Sequence, residues 1–453
     1  DRARGPLSPA ALAAAGVLSA ALVGLPPFPG FWAKWRLVRA LADSGRWWIL
    51  AIVLGGSLLE AFYVFRWLGL RAKGEAGEAP VRLGIRGAGP VLAALLLAAG
   101  GAAAGIRGPV PDLLLWAPWA AAAVLFLLDW TPGWLKGLLS AAAAAAFGAA
   151  VWGRLDDLGQ FFAVMLLGGG VLFSIAALRK GGARRGLYPL LSAATLALGA
   201  ILVAKTPLEF FFAWETMTLA SWLLVLRGRG GEKPALSYIV FGLGGAFLLM
   251  AGLAAGGWDG GAAAAGWPGL LVLAGLLVKA GALGVHVWLP GSYAESDDES
   301  SGFLSAALSK APVFALFALA LSLGAALPGG PWTSRALGWL GLATALGGAL
   351  YAVYQEDIKR TLAYSSLGQI GYILLAFAAM NQAGWTTSLY LALNHFLHKS
   401  MLFLAVAGVI QRTGTRNMYE MGGLIKKMPV SFLSVLMAII ALSGVPPLSG
   451  FGG

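Results

Sequence analysis

The 453-residue sequence predicts an all-α, polytopic membrane protein with about sixteen transmembrane helices. Hydrophobic residues make up 59% of the chain and charged residues only 11%, whereas a soluble domain carries about 25% charged residues. The mean hydropathy is +0.78, and the apolar residues form runs long enough to cross a hydrocarbon core of about 30 Å. Basic residues favour alternate connecting loops, a pattern typical of helices that cross a bilayer in succession.

The apolar runs, bounded by Pro, Gly and charged residues, form two series along the chain. The first series is predicted at 9–25, 30–43, 47–69 and 88–106. The second series is predicted at 113–129, 134–152, 159–178, 187–204, 208–226, 235–256, 268–289, 302–325, 335–354, 361–380, 386–411 and 430–447. A polar, glycine-rich connector at 71–89 lies within the first series, and a shorter one at 105–111 precedes the second.

Positive charge is concentrated in the loops that follow odd-numbered helices of the second series. The only basic residues in the loops after even-numbered helices are Arg154, Lys205 and Arg335. The positive-inside rule therefore predicts that the odd-numbered loops are cytoplasmic. It also explains the net charge of +12 better than nucleic-acid binding does. The acidic run Glu295–Glu299 is the exception, because it follows an odd-numbered helix and contains no basic residue.

The chain contains no cysteine and three histidines. The lack of cysteine excludes disulfides, iron–sulfur clusters and thiolate zinc sites. Three histidines make a haem or metal site unexpected as well, and we expect no cofactor in this chain.

One motif occurs twice. LVGLPPFPGF at 22–31 recurs as LSGVPPLSGF at 442–451, which predicts two homologous units in tandem. Residues 1–106 would be the C-terminal tail helices of an upstream unit, and residues 110–453 most of the next unit. In the alternative, a permuted unit, the tail folds back and completes the second half of 110–453. The chain starts at Asp1 and stops inside the second motif copy, so we expect it to be a fragment.

Ionisable side chains lie inside several predicted spans. The candidates for a proton path are Glu215, Lys279, Lys310, His395, Lys399 and Lys34. A lysine at mid-membrane depth costs roughly 2.5–3.5 kcal/mol on insertion scales, and a series of such residues on separate helices is what a proton path requires. Because an unpaired charge is costly at that depth, we expect Glu215 and Lys279 to lie on facing helices, within reach of an ion pair or one water.

Three further residues are secondary candidates, namely Glu60, His286 and His398. Glu60 has the alternative of pairing with Arg66 at the interface, and His398 that of a packing residue. Lys34 itself lies near a span end, where it has the alternative role of an anchor.

Prolines accompanied by glycines are expected to interrupt helices at Pro290, Pro312, Pro446 and Pro447. Broken helices at membrane depth mark ion sites in transporters. Trp288 and Pro290 are predicted to end the helix that carries Lys279.

These motifs together resemble the antiporter-like membrane subunits of respiratory complex I, shared with multisubunit Na⁺/H⁺ antiporters and membrane-bound hydrogenases. The matching segments are AWETMTLASWLL, VKAGALGVHVWLPGSYAES, ALSKAPVFAL, QEDIKRTLAYSSLGQIGYILL, NHFLHKSMLF, GTRNMYEMGGLIKKMPVSF, GVPPLSGF and, upstream, GLPPFPGFWAKW. The resemblance implies two inverted five-helix repeats, each a half-channel with one broken helix. It assigns the essential glutamate to Glu215, the central lysine to Lys279 and the connecting lysine to Lys310. It assigns the second half-channel to His395 and Lys399, with Lys34 as the exit lysine.

The sequence departs from the family after the W-L-P turn, where SDDESS at 296–301 replaces a proline-rich stretch. The second unit also lacks an exit lysine of its own within the chain.

The resemblance implies proton translocation driven by electron transfer elsewhere in a large membrane complex. The expected partners are other membrane subunits of a respiratory or hydrogenase complex, the lipid bilayer and protons, with Na⁺ as an open possibility. The expected location is the cell membrane, as a multi-pass integral protein. Two alternatives stay open: a stand-alone cation/proton (Na⁺/H⁺) antiporter subunit, and a non-pumping structural membrane arm of a hydrogenase.

Overall fold

The computed structural model describes residues 9–73, 88–108, 110–179, 186–228, 230–258, 260–448 and 450. Within these residues the regular structure is helical, apart from one isolated β-bridge between Asp357 and Asn417. The α-helices are α1 (Pro9–Val23), α2 (Pro29–Asp43), α3 (Trp47–Lys73), α4 (Ala88–Ile106), α5 (Ala117–Leu127), α6 (Gly133–Val151), α7 (Asp157–Ala176), α8 (Leu187–Val203), α9 (Pro207–Leu226), α10 (Glu232–Ala254), α11 (Ala262–Ala265), α12 (Trp267–Ala280), α13 (Trp288–Glu295), α14 (Asp298–Ala306), α15 (Ala311–Ser322), α16 (Pro331–Val353), α17 (Ile358–Ala378), α18 (Gln382–Thr413), α19 (Leu424–Lys427) and α20 (Pro429–Leu442).

The prediction of an all-α, polytopic membrane protein is confirmed. Nine helical segments of the described ranges are long and apolar enough to span a bilayer, one of them formed by α14 and α15 together, and six shorter apolar helices accompany them. The count of sixteen spans stays a prediction. Most helix ends lie within a few residues of the predicted spans, because charged, Pro and Gly residues bound the apolar runs.

Several helices begin at side chains that accept hydrogen bonds from free backbone N–H groups. Thr206 and Glu209 form a reciprocal capping box at the start of α9. Asp357 caps α17 by accepting from the backbone N–H groups of Lys359 and Arg360. These caps fix where the helices that carry Glu215 and Ser365 begin.

The predicted span 268–289 is two helices rather than one. α12 ends at Ala280 because Gly281 adopts the left-handed conformation, with φ of 77°, and its N–H bonds back to Leu277 and Val278. Pro290 lies in the first turn of α13, where a proline costs little because that turn needs no backbone donor. The helix break therefore lies at Gly281, upstream of the predicted position.

The predicted span 302–325 is also divided. A 3₁₀ turn at Leu308–Lys310 separates α14 from α15, and Pro312 lies in the first turn of α15. Pro446 and Pro447 follow the end of α20 at Leu442. Pro312, Pro446 and Pro447 thus stand beside irregular backbone, and a role of these prolines at an ion site stays a prediction.

The first-series helices pack against the region of α9 and α10. Phe31 of α2 stacks on Phe211 at a ring distance of 5.8 Å, and Trp32 stacks on Phe212 at 5.7 Å. Phe65 of α3 meets the Trp222 ring edge-on at 4.7 Å. This packing brings α2 beside the helix that carries Glu215.

Candidate functional site: buried charges along the membrane helices

Lys279 lies in the last turn of α12, beside the helix break, and is 4% exposed. Its Nζ donates hydrogen bonds to Tyr238 OH at 2.9 Å and to Thr218 Oγ1 at 3.2 Å. Tyr238 OH is in turn 2.5 Å from Ser221 Oγ. The amine of Lys279 is therefore held by hydroxyl groups from α9 and α10.

Glu215 is 1% exposed and lies one turn before Thr218 on α9. Neither of its carboxylate oxygens has a hydrogen-bond partner among the described residues. The cations that act on it electrostatically are Lys279 and Lys34. In the described residues Glu215 and Lys279 therefore form no direct hydrogen bond, and Lys279 is bonded to hydroxyls instead. Their expected placement within reach of one water stays a prediction.

Lys34 lies on α2, just after the break between α1 and α2. Its Nζ donates to the carbonyl oxygen of Val23, the last residue of α1. The same Nζ lies 5.0 Å from the centre of the Phe247 ring on α10. Glu60 and Glu215 are the acids that act on Lys34 electrostatically. Glu60, a secondary candidate, therefore belongs to this group of residues, which we call the Glu215 cluster: Lys34, Glu60, Glu215, Lys279, Thr218, Ser221 and Tyr238.

Lys310 is fully buried on the 3₁₀ turn between α14 and α15. Its Nζ lies 2.5 Å from His395 Nδ1 and donates to Ser309 Oγ at 2.7 Å. His395, also fully buried, is carried by α18. Its Nε2 has no hydrogen-bond partner in the described part of the chain.

Lys399 lies one turn after His395 on α18 and is fully buried. Its Nζ donates to the Leu362 carbonyl oxygen and to Ser365 Oγ, both at 2.9 Å on α17. We call Lys310, His395, Lys399 and the hydroxyls around them the Lys399 cluster.

Serine hydroxyls connect the two lysines of the Lys399 cluster. Ser309 Oγ donates to the Ser305 carbonyl oxygen at 2.5 Å, and Ser305 Oγ lies 2.8 Å from Ser366 Oγ. Ser366 Oγ donates to the same Leu362 carbonyl oxygen that accepts from Lys399. A continuous polar link therefore runs from α14 to α17.

Of the two remaining secondary candidates, His286 lies in the break between α12 and α13 and His398 lies beside the Lys399 cluster. His286 stands in the break between α12 and α13, where its Nδ1 accepts from the Gly284 N–H at 3.3 Å and its ring stacks near Tyr351. His398 is 4% exposed on α18 and neighbours Lys399 electrostatically.

Sequence reasoning did not single out the hydroxyl partners. Tyr238 lies in an apolar helix, 41 residues before Lys279 in the sequence. A buried tyrosine usually finds a hydrogen-bond partner for its hydroxyl group, so a tyrosine inside an apolar run was the available sign of this contact. Ser365 and Ser366 are the paired serines of the AYSS motif. No group of three His, Asp or Glu side chains that could hold a metal ion occurs among the described residues.

A family model described as NADH:quinone oxidoreductase/Mrp antiporter, transmembrane, matches residues 204–453, more than half of the chain. The chain belongs to this antiporter family. The matched range contains Glu215, Lys279, Lys310, His395 and Lys399.

Relatives of the antiporter family are similar in sequence over about half of their own length. Hydrogenase-4 component B of Escherichia coli is 30% identical over 331 residues, which cover 66% of this chain and 49% of that protein. NADH-quinone oxidoreductase subunit N of Desulforudis audaxviator is 29% identical over 255 residues, which cover 52% of this chain and 51% of that protein.

Solved structures of the antiporter family share the fold. The membrane-bound sulfane sulfur reductase, an archaeal respiratory membrane complex, matches with a TM-score of 0.66 at 25% identity, over 75% of this chain and 63% of that chain. Respiratory complex I from Thermus thermophilus matches with a TM-score of 0.60 at 26% identity, over 75% of this chain and 80% of that chain. The chain is therefore an antiporter-like membrane subunit by fold and sequence.

Proposed function

We propose that the chain is a proton-translocating, antiporter-like subunit of a membrane-bound redox complex. The observation that carries this proposal is a set of three buried lysines on neighbouring helices, each of which donates to a hydroxyl or imidazole group. Lys279, Lys310 and Lys399 are all at most 4% exposed. Burying three amines in an apolar bundle is costly, and ionisable residues inside membrane segments are accordingly typical of ion pathways and proton relays.

The contacts of these residues suit proton exchange. A hydroxyl group accepts a hydrogen bond from a lysine ammonium and donates one onward, so it serves either protonation state of its neighbour. Lys279, Tyr238 and Ser221 form one such row. When Nδ1 of His395 carries no proton it can accept from Lys310, and this contact of 2.5 Å is close enough for direct proton transfer.

The two clusters meet at α12. The 3₁₀ turn that carries Lys310 packs against α12, the helix of Lys279. In the proposed path, Lys310 is therefore the link between the Lys399 cluster and the Glu215 cluster. Glu215 has no hydrogen-bond partner for its carboxylate in the described part of the chain and acts electrostatically on Lys279 and Lys34. In the proposed path it is the acid whose charge state changes the affinity of both lysines for protons.

We further propose that residues 1–106 are the tail of an upstream unit in a tandem array. Lys34 lies in the Glu215 cluster, whereas Lys399 contacts α17 and shares its cluster with Lys310. This separation supports the tandem arrangement over the permuted one, in which Lys34 would complete the half-channel of Lys399. An exit lysine of one unit would then neighbour the glutamate of the next.

The named relatives support a location in a multisubunit membrane complex. They include proteins of hydrogenase and of NADH-quinone oxidoreductase, from which we propose respiratory or hydrogenase membrane subunits as partners and the cell membrane as the location.

A second candidate function is cation/proton antiport. It is favoured by similarity to the Mrp complex from Dietzia sp., with a TM-score of 0.67 at 25% identity over 75% of this chain and 42% of that chain. A probable K⁺/H⁺ antiporter protein of Rhizobium meliloti, 29% identical over 322 residues, favours it as well.

Inverted membrane vesicles that contain the complex test the proposal. Acidification of the lumen is followed with acridine orange after addition of NADH, formate or hydrogen. It is then followed after addition of Na⁺ or K⁺ without a donor. We expect donor-driven acidification that Lys279→Ala and Lys399→Ala abolish while assembly is retained.

A proton flux that needs only Na⁺ or K⁺ would establish antiport instead. Normal acidification by both alanine variants would establish a structural arm and exclude the proposed path.

A further inference from the structure

The acidic run Glu295–Glu299 is the exception to the charge pattern of the loops, and the structure explains it. Glu295 pairs with Arg416 at 3.2 Å and with Arg360 at 3.5 Å. Asp297 pairs with Arg227 at 3.2 Å, and Asp298 pairs with Lys359 at 3.1 Å. The acidic side chains therefore pair with basic residues from other loops on the same side of the helix bundle.

These pairs form one network. Arg416 connects Glu295 to Asp357 through a further ion pair at 3.2 Å, and it also donates to the Ala294 carbonyl oxygen. Lys359 adds a hydrogen bond to the Ser296 carbonyl oxygen at 2.7 Å. The members of this loop network are Arg227, Glu295, Asp297, Asp298, Asp357, Lys359, Arg360 and Arg416. Its four carboxylates balance its four cations.

The network is partly shielded from solvent. The side chain of Glu295 is 17% exposed and that of Lys359 is 4% exposed. Burial by itself raises the pKa of Glu295, but Arg416 and Arg360 outweigh burial and lower it. Partly buried, hydrogen-bonded charges in a network contribute more than isolated surface pairs do. Loss of one member leaves its partner charge uncompensated.

Three helices that start or end in the network, α13, α14 and α17, contact the buried lysines or the groups beside them. α13 has Glu295 at one end and Trp288 at the other, about 10 Å away by helical rise. Trp288 donates to the Val278 carbonyl oxygen, next to Lys279, and its ring meets Tyr238 at 5.1 Å. α13 thus joins the network to the lysine of the Glu215 cluster.

The same holds for the Lys399 cluster. α14 begins after Asp297 and carries Ser305, whose carbonyl and hydroxyl oxygens contact Ser309 and Ser366. α17 begins after Asp357 and, one turn later, presents the Leu362 carbonyl oxygen to Lys399. The network therefore holds the ends of the helices that position all three lysines.

We infer that the loop network is a positioning device for the proton path, with Glu295 as its central residue. It keeps α13, α14 and α17 in register, so that Lys279, Lys310 and Lys399 stay at transfer distance from their partners. This inference rests on the proposed function, because it needs a path to position. Proton transfer is sensitive to placement, and a displacement of about 1 Å can cost a factor of 100.

The test compares Glu295→Gln with Glu356→Gln in the vesicle assay. Both variants make the same chemical change on the same face, but Glu356 is exposed and has no ion pair among the described residues. The ratio of protons moved to donor oxidised is measured, with whichever donor drives acidification. We expect Glu295→Gln to lower this ratio at least about threefold, with donor oxidation maintained, and Glu356→Gln to leave it unchanged.

Two further variants keep the inference testable if Glu295→Gln assembles poorly. Glu295→Asp retains the charge and should recover part of the ratio. Arg360→Gln removes the charge of the most exposed network member, whose side chain is 51% exposed. It should lower the ratio less than Glu295→Gln does. Equal losses of donor oxidation and proton movement would overturn the positioning role.

Lys399→Ala separates the two hypotheses. If Lys399→Ala pumps normally, the proposed function fails. If Lys399→Ala stops pumping and Glu295→Gln behaves like Glu356→Gln, the network inference alone fails.

Discussion

The three lysines of the proposed path, Lys279, Lys310 and Lys399, donate to hydroxyl, carbonyl and imidazole groups rather than to carboxylates. Lys279 contacts Tyr238 and Thr218, and Lys399 contacts Ser365 and the Leu362 carbonyl oxygen. A direct carboxylate partner would hold the ammonium form strongly and resist proton release. Hydroxyl partners tolerate both forms of the amine, which is what repeated proton uptake and release requires.

Tyr238→Phe tests this role of hydroxyl groups. The change removes the oxygen that joins Lys279 to Ser221 and retains the ring that packs near Trp288. We expect donor-driven acidification to fall by a factor of about 10, within the range by which a single proton-transfer group contributes, while the complex assembles normally. Tyr188→Phe is the matched control, because Tyr188 OH is buried without a hydrogen-bond partner among the described residues. Equal rates in the two variants would refute the role of Tyr238.

At the level of helices, α16 and α17 pack backbone against backbone at two glycines. A Cβ added at Gly348 would lie 2.3 Å from the Gly368 nitrogen, and one added at Gly371 would lie 2.2 Å from the Ala345 nitrogen. The backbones meet without intervening side chains, as small residues allow in membrane bundles. This contact fixes α17, and therefore the carbonyl and hydroxyl groups that hold Lys399.

Gly348→Ala should force these two helices apart and lower the melting temperature in detergent, measured by tryptophan fluorescence. We expect a loss of several degrees, since a backbone atom cannot move aside as the end of a side chain can. Gly338→Ala is the control on the same helix, because its Cβ would meet only Ala378 Cβ at an ordinary 3.7 Å. There the gain in helix propensity, up to about 1 kcal/mol, should keep or raise stability. The same loss in both variants would show that the close approach is not the cause.

For the molecule as a whole, the position of the first-series helices beside α9 and α10 decides which residues can join the proposed proton path. Aromatic contacts from Phe31, Trp32 and Phe65 cover the helix of Glu215. Lys34 thereby reaches the Glu215 cluster. A proton path in this chain would then extend across the boundary between the two proposed units.

Cysteine pairs test this placement directly, because the chain contains no cysteine of its own. A Cβ at Gly244 of α10 would lie 3.8 Å from Leu58 Cδ2 of α3. The double variant Leu58→Cys/Gly244→Cys should therefore be joined by a short thiol-reactive cross-linker in membranes. The pair Leu59→Cys/Gly244→Cys should not, since Leu59 is 70% exposed on another side of α3. Cross-linking of the control pair alone would contradict the placement of α3 against α10.

The amino-acid sequence determined the helices and the chemical candidates. Long apolar runs can only be helices in lipid, since every backbone polar group must be satisfied within the segment, and an ionisable residue in such a run is visible without a structure. The ends of α9, α10 and α17 lie within a few residues of the predicted spans for this reason.

Tertiary structure decided which of these groups meet. Sequence placed the end of the Lys279 helix at Pro290, but proline is harmless in a first turn, and it is the left-handed Gly281 that ends the helix. The partners of Lys279 and Glu295 lie 41 and 121 residues away along the chain. Which residues become such partners depends on the rotation and depth at which each helix packs. Hydrophobic patterning specifies that a helix spans the membrane, whereas the close approach of side chains and glycines on neighbouring helices sets that rotation.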